Sequence, residues 1–191
     1  NLPRNCSLGS SSPRRTCYIN FYRPDVKVIP IRGNVDSRIK KLLNNEVDAL
    51  IIAKAGINRL KKDYSDLSLS PIPLSQVLPS PGQGAIAIIY KKENKICEEI
   101  CEIINDKNTE NALLAERSLI KQINGNCFTP IAALAEVNKK KIVLQAKLFS
   151  QDGSIFSDQK LEGMASNAKQ VGITCADYLI NNLLNRKKNE E

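Results

Sequence analysis

Histidine and tryptophan are absent from this chain of 191 residues, and methionine occurs once. Without histidine, no Ser-His or Cys-His catalytic pair can form. Imidazole metal ligands are likewise excluded. The six cysteines contain no Cys-x-x-Cys pair, so no structural zinc is expected. Cys97 and Cys101 stand four apart on an expected helix. Aromatic residues make up 5%, too few for the stacking platforms of single-strand nucleic-acid binders. No run approaches the ~20 apolar residues of a membrane span. The N-terminus carries no apolar region of signal-peptide type. The thiols are therefore read as reduced and the compartment as cytoplasmic.

Hydrophobic residues make up 42%, enough for a packed core. Lys and Arg number 28 against 20 Asp and Glu, a net charge of +8. That surplus suits an anionic partner. Much of it lies in lysine runs such as Lys40-Lys41, Lys61-Lys62 and Lys139-Lys140-Lys141, which are read as solvated surface. With few aromatics and no recognition-helix signature, nucleic acid is not the expected partner.

The first part alternates strand and helix. Asn5–Leu8 is a short strand, and Ser12 caps a helix that opens at Pro13 and ends near Tyr22. Val26–Ile31 is a second strand. Asn34 caps a helix running to about Asn44. Asp48–Ala53 is a buried parallel strand, followed by a short helix over Ala55–Leu60. The rhythm predicts an α/β lobe with a parallel-rich sheet. Leu67–Pro81 reads as a Ser- and Pro-rich linker. Ala85–Tyr90 is expected as a further buried strand and Ile96–Ile104 as an amphipathic helix. Thr109 is read as the cap of a helix extending to Ile123. Three strands follow, Pro130–Val137, Ile142–Phe149 and Ser154–Leu161, as an antiparallel meander. A helix over Ala165–Leu184 and a frayed tail over Arg186–Glu191 complete a small C-terminal α+β domain.

Two features carry chemistry. Arg14 and Arg15 fall in a helical first turn, where a cation is unfavourable unless an anion offsets it. Arg32, Arg38 and Arg59 fall where a doubly wound sheet delivers its loops to ligand. Guanidinium forks grip carboxylates bidentately. Ser10, Ser11 and Ser12 can add donors or simply cap the helix. The second feature is Cys127, in Asn124-Gly125-Asn126-Cys127-Phe128-Thr129-Pro130. Gly125 is expected to make the tight turn there. A thiol in a polar loop near cations forms a thiolate readily. Gly82-Gln83-Gly84 is read as a hinge, and Glu116-Arg117 as a structural ion pair.

Six segments, in order, resemble the porphobilinogen deaminase (hydroxymethylbilane synthase) family. They are Leu8-Gly9-Ser10-Ser11-Ser12-Pro13-Arg14-Arg15, Ile31-Arg32-Gly33-Asn34-Val35-Asp36-Ser37-Arg38, Ala53-Lys54-Ala55-Gly56-Ile57-Asn58-Arg59-Leu60, Pro81-Gly82-Gln83-Gly84-Ala85, Ala115-Glu116-Arg117 and the Cys127 loop. The resemblance implies a dipyrromethane cofactor attached covalently through Cys127. It implies cofactor contacts from Ser12, Arg14, Arg15, Arg32 and Arg38, and substrate contacts from Arg32, Arg38 and Arg59. The implied reaction condenses four porphobilinogen molecules into hydroxymethylbilane with release of ammonia, and requires no metal. The implied fold is a periplasmic-binding-protein-like lobe plus a C-terminal domain with a three-stranded antiparallel sheet. The implied division is 1–80 for the cofactor- and substrate-binding domain, 81–104 for a hinge with a returning strand and helix of the first domain, and 105–191 for the C-terminal domain carrying the cysteine.

Three departures stand out against that family. The chain begins where the family's second domain begins, so the catalytic aspartate falls outside it. The expectation is a chain inactive by itself, with the first domain supplied as another segment, and otherwise monomeric. Asn126 stands where the family usually has a second glycine. Pro13 replaces an apolar residue, which a helical first turn accepts. The alternative reading is a small-carboxylate-binding module without catalysis.

Overall fold

A computed structural model describes residues 2–60, 62 and 64–188. They form two compact units. The first holds the described residues up to Val77 together with Cys127–Pro130 and Phe149–Phe156. The second holds Leu78–Asn126, Ile131–Leu148 and the described residues from Ser157 onward.

In the first unit, strands β1 (Ser7–Gly9), β2 (Lys27–Ile29) and β3 (Ala49–Leu50) form a parallel sheet in the order β2-β1-β3. The central strand is buried, with Leu8 facing Cys6, Val26 and Ile51 in the core. The packing at Gly9 is close: a Cβ there would lie 2.6 Å from a Leu50 methyl, which would have to shift. Helix α1 (Pro13–Tyr22) starts where expected. The Ser12 hydroxyl accepts from the Arg15 N–H at 3.4 Å, and Pro13 supplies the preset φ of a first helical residue. Helix α2 (Val35–Leu43) is capped by Asn34, which accepts from the Ser37 N–H at 2.8 Å. Asp36 in its first turn and Lys40 and Lys41 in its last complement the helix dipole. Helix α3 (Lys54–Leu60) follows β3. The strands are shorter than their hydrophobic runs, because ladder pairing ends before the runs do.

An aromatic group closes the far side of α1. Tyr18 meets Phe149 edge-on at 4.9 Å, and Phe21 meets Phe156 at 4.9 Å. The turn between Phe149 and Phe156 is organised by Asp152, which accepts from the Ser150 hydroxyl and from the N–H and hydroxyl of Ser154.

In the second unit, β4 (Ile131–Asn138), β5 (Lys141–Phe149) and β6 (Phe156–Met164) form an antiparallel three-stranded sheet, two of whose boundary residues belong to the first unit. Helix α5 (Lys107–Gln122) and helix α6 (Ala168–Lys188) pack with β4 around Ala115, Leu119, Leu144, Cys175 and Leu179. The two helices approach so closely that a Cβ on Gly172 would lie 2.1 Å from the Ala115 carbonyl oxygen. A short 3-10 turn, Ala165–Asn167, precedes α6.

Four expectations are corrected. Asp106, not Thr109, caps α5, accepting from the Thr109 N–H at 2.6 Å. The C-terminal helix continues through Lys188, so Arg186–Lys188 are helical, while residues 189–191 lie outside the described residues. Lys61 of the Lys61-Lys62 run also lies outside them. Ala85–Tyr90 is not a strand. It has no ladder partner among the described residues, and without one an apolar run stays irregular, with Ile86 80% and Ile89 94% exposed. Helix α4 (Lys95–Ile104) forms as expected but leaves Ile96, Ile100, Ile103 and Ile104 exposed. Finally, Glu116 is not half of an ion pair with Arg117. It is buried and accepts from the Gly82 N–H at 2.5 Å and the Ala135 N–H at 2.8 Å. Burial pushes its pKa up, against the pull of those two donors.

Candidate functional site

The carboxyl ends of the three parallel strands deliver three loops to one edge. Residues 10–15 follow β1, residues 30–38 follow β2 and residues 51–60 follow β3. Parallel sheets present ligands at this edge because helix N-termini and their free N–H groups collect there. Ser12, Arg14, Arg15, Arg32, Arg38 and Arg59 all lie on these loops or the helices they open.

Arg14 is buried at 6% exposure, and burial followed by the neighbouring Arg15 charge pushes its pKa down to about 10. Arg15 is half-buried and donates from Nη1 to the Ile51 carbonyl at 2.8 Å, joining α1 to the loop after β3. Its pKa is lowered, first by burial and then by Arg38. Arg38 donates from Nε to the Gly33 carbonyl at 2.8 Å, bending back along its own loop. Ser11 donates to the Ile31 carbonyl at 2.7 Å, holding the loop after β1 to the loop after β2. Ser10 is buried and accepts from the Ser12 N–H at 3.3 Å. Two of the three serines thus brace the loops, and Ser12 caps α1.

Arg14, Arg15 and Arg38 are therefore mutually close enough to repel in sequence, Arg14 against Arg15 and Arg15 against Arg38. Arg32 is exposed on the loop after β2, and Arg59 is exposed in the last turn of α3. The helices bearing Arg38 and Arg59 approach, since a Cβ on Gly56 would sit 2.9 Å from a Val35 methyl. A chain of like charges, partly desolvated, is an arrangement that an incoming polyanion relieves.

Cys127 is exposed and free, and its short segment Cys127–Pro130 belongs to the same compact unit as the arginines. The sharp backbone turn before it is made by Asn124, with φ 54°, and not by Gly125. Asparagine tolerates that left-handed conformation better than most side-chain-bearing residues. The Gly125 N–H closes the end of α5 onto the Ile120 carbonyl at 2.9 Å. Cys6, Cys17 and Cys175 are buried, and Cys97 and Cys101 are half-buried.

One ion pair at this edge escaped sequence reasoning. Lys62 meets Asp36 of α2 at 2.9 Å, although its position within a lysine run gave no sign of a partner. Among the described residues, no helix is long and apolar enough to cross a membrane.

Comparison with known proteins agrees with this geometry. Residues 1–99 match a family model described as porphobilinogen deaminase, dipyromethane cofactor binding domain. Residues 111–181 match the family's C-terminal domain. The chain is 38% identical over 180 residues to a porphobilinogen deaminase of Lawsonia intracellularis, covering 94% of this chain and 58% of that protein. It is 36% identical over 183 residues to one of Clostridium novyi, covering 60% of it. It is 38% identical over 183 residues to one of Rickettsia canadensis, again covering 60%. The chain thus spans about three-fifths of the length of these relatives. With both of its parts matched in order, the chain belongs to the porphobilinogen deaminase family.

Proposed function

We propose that this chain is the cofactor- and substrate-holding part of a hydroxymethylbilane synthase. In this reading a dipyrromethane is carried on the Cys127 sulfur, and its acetate and propionate groups are held by Ser12, Arg14, Arg15, Arg32 and Arg38. Arg32, Arg38 and Arg59 receive the carboxylates of incoming porphobilinogen and of the growing oligopyrrole. The observation that carries the reading is the series of neighbouring cations Arg14, Arg15 and Arg38 at the carboxyl edge of a parallel sheet, the first two of them desolvated by burial. The donor set fits the group: planar forks and free helix N–H groups match carboxylates, and an exposed thiol is available for the thioether.

When bound, the dipyrromethane supplies the pyrrole carbon onto which each unit condenses with loss of ammonia. The residues here bind and orient. Ser12 fixes the start of α1, so the Arg14 and Arg15 forks are aimed by a rigid first turn. Arg15 and Arg38 are each braced by a backbone carbonyl, which lowers the entropy of seating a carboxylate between them. No catalytic acid or base is assigned within this chain, and the reading places that group in the further length that the relatives possess.

The β2-β1-β3 parallel order supports a periplasmic-binding-protein-like lobe. The bare isoleucines of α4 and of Ala85–Tyr90 support a first domain packing there, whether in the same chain or as a separate segment. Residues 1–80, 81–104 and 105–191 are the proposed domains. Six free thiols suit a reducing cytoplasm, and a monomer is proposed once the first domain is in place.

The test is intact and peptide mass spectrometry of the chain expressed together with the further length that the relatives possess and supplied with porphobilinogen. The expected result is a two-pyrrole adduct on the Cys127 peptide, absent from Cys127→Ala. Turnover undiminished in Cys127→Ala would sink the reading. The alternative, a small-carboxylate-binding module, predicts carboxylate binding that is lost in Arg15→Ala but unaffected by removal of the thiol.

A further inference from the structure

The loops at the carboxyl edge carry six cations, Arg14, Arg15, Arg32, Lys54, Arg38 and Arg59, and one carboxylate, Asp36. Asp36 lies in the first turn of α2, two residues before Arg38 and four after Arg32. A carboxylate there is good for the helix, because it faces the positive end of the dipole. It is bad for an anion-binding edge, because it repels incoming carboxylates and offers the guanidinium groups an internal partner. The structure resolves this conflict with a residue from outside the three loops. Lys62, just beyond α3, places its ammonium 2.9 Å from Asp36 Oδ1. The other acids of residues 1–60 are engaged elsewhere: Asp25 with Arg23, Asp48 with Ser7, and Glu46 with Lys41.

We propose that Lys62 is a positioning residue for polycarboxylate binding, acting through Asp36. By holding and neutralising the one acidic side chain of the edge, it keeps Arg32 and Arg38 available to the ligand. This rests on the reading of the edge as a carboxylate site. The pair is half-exposed, with side chains 54% and 35% accessible, so its effect on fold stability is small. Its effect on ligand is separable from that, which makes it measurable.

The experiment is a set of citrate titrations by calorimetry at low salt on the intact chain and on Lys62→Gln, Asp36→Asn, the double variant and Lys62→Arg, with Arg15→Gln as a control for the edge itself. Thermal melting of each variant checks that the fold is kept. Lys62→Gln is expected to weaken citrate binding about fivefold, the scale of one surface charge pair. In the Asp36→Asn background the same change is expected to do nothing, and Lys62→Arg is expected to bind like the unaltered chain. An equal loss from Lys62→Gln in both backgrounds would mean that Lys62 acts by its own charge, and would overturn the proposal. If citrate binds but Arg15→Gln leaves its affinity unchanged, the carboxylate edge itself is misassigned. Absence of citrate binding to the unaltered chain would overturn both readings together.

Discussion

Arg15 and Arg38 are each tied to a backbone carbonyl, of Ile51 and of Gly33, yet the charge of Arg38 still depresses the pKa of Arg15. Two braced like charges cannot relax apart as mobile side chains would. A double-mutant cycle with Arg15→Gln and Arg38→Gln measures the consequence. The coupling should be repulsive by about 0.3–1 kcal/mol at low ionic strength. It should fade at about 1 M salt, where the screening length is short. A coupling of attractive sign in chemical denaturation would contradict the arrangement.

The thiols should separate into three classes in native buffer. Cys127 is exposed and should react first with a colorimetric disulfide reagent. Cys97 and Cys101 should follow more slowly. Cys6, Cys17 and Cys175 should wait for unfolding, Cys175 most of all, since burial pushes its pKa up to about 12. Peptide mapping after timed quenching gives the order, and early labelling of Cys175 would contradict its burial.

Glu116 holds two backbone N–H groups from distant parts of its unit, Gly82 and Ala135. Glu116→Gln keeps the volume but turns one acceptor into a donor, leaving one N–H facing another. The expected loss is about 1–3 kcal/mol in urea denaturation. A loss below a few tenths would mean that water or a shifted loop satisfies the freed group.

Much of this was readable in the amino-acid order, and what was readable is local. Ser12 and Asn34 bond N–H groups three residues ahead, so their capping roles follow from neighbours in the chain. The αβ rhythm of residues 5–60 is of the same kind. Glu116 was misread because its partners lie 34 and 19 residues away. Lys62 was dismissed with its run because Asp36 is 26 residues off. Ala85–Tyr90 has strand composition, but strand identity is conferred by a neighbour. At the Cys127 loop, glycine drew the turn assignment, while Asn124 adopts the positive φ.

Gly172 permits backbone contact between α5 and α6. Gly172→Ala puts a methyl into the Ala115 carbonyl and against the Leu119 N–H, at 2.1 and 3.0 Å. Neither is a flexible side-chain tip, so the helices must separate. The expected cost is about 3 kcal/mol or more, at the upper end for overpacking. A melting temperature unchanged within a degree would mean that the crossing is looser than described.

Asp152 gives the acid limb of stability a definite sign. Hydrogen bonds from Ser150 and Ser154 hold its pKa at about 2, below the ordinary 3.8. A depressed carboxyl pKa means that the folded chain binds its proton less readily than the unfolded chain. Its stabilising share is whole above pH 3.8 and drains away as the pH falls toward 2. Asp152→Asn should flatten the pH dependence of unfolding within that window and leave its slope unchanged near neutrality. Parallel acid titrations of the two proteins would reveal it.

The bare isoleucines between Gly84 and Lys91 have a practical corollary for anyone handling this polypeptide. A six-residue apolar stretch without proline or charge, in no strand ladder among the described residues, is a nucleus for intermolecular cross-β stacking. Stock solutions left concentrated should cloud with time, and a single lysine in place of Ile89 should keep them clear.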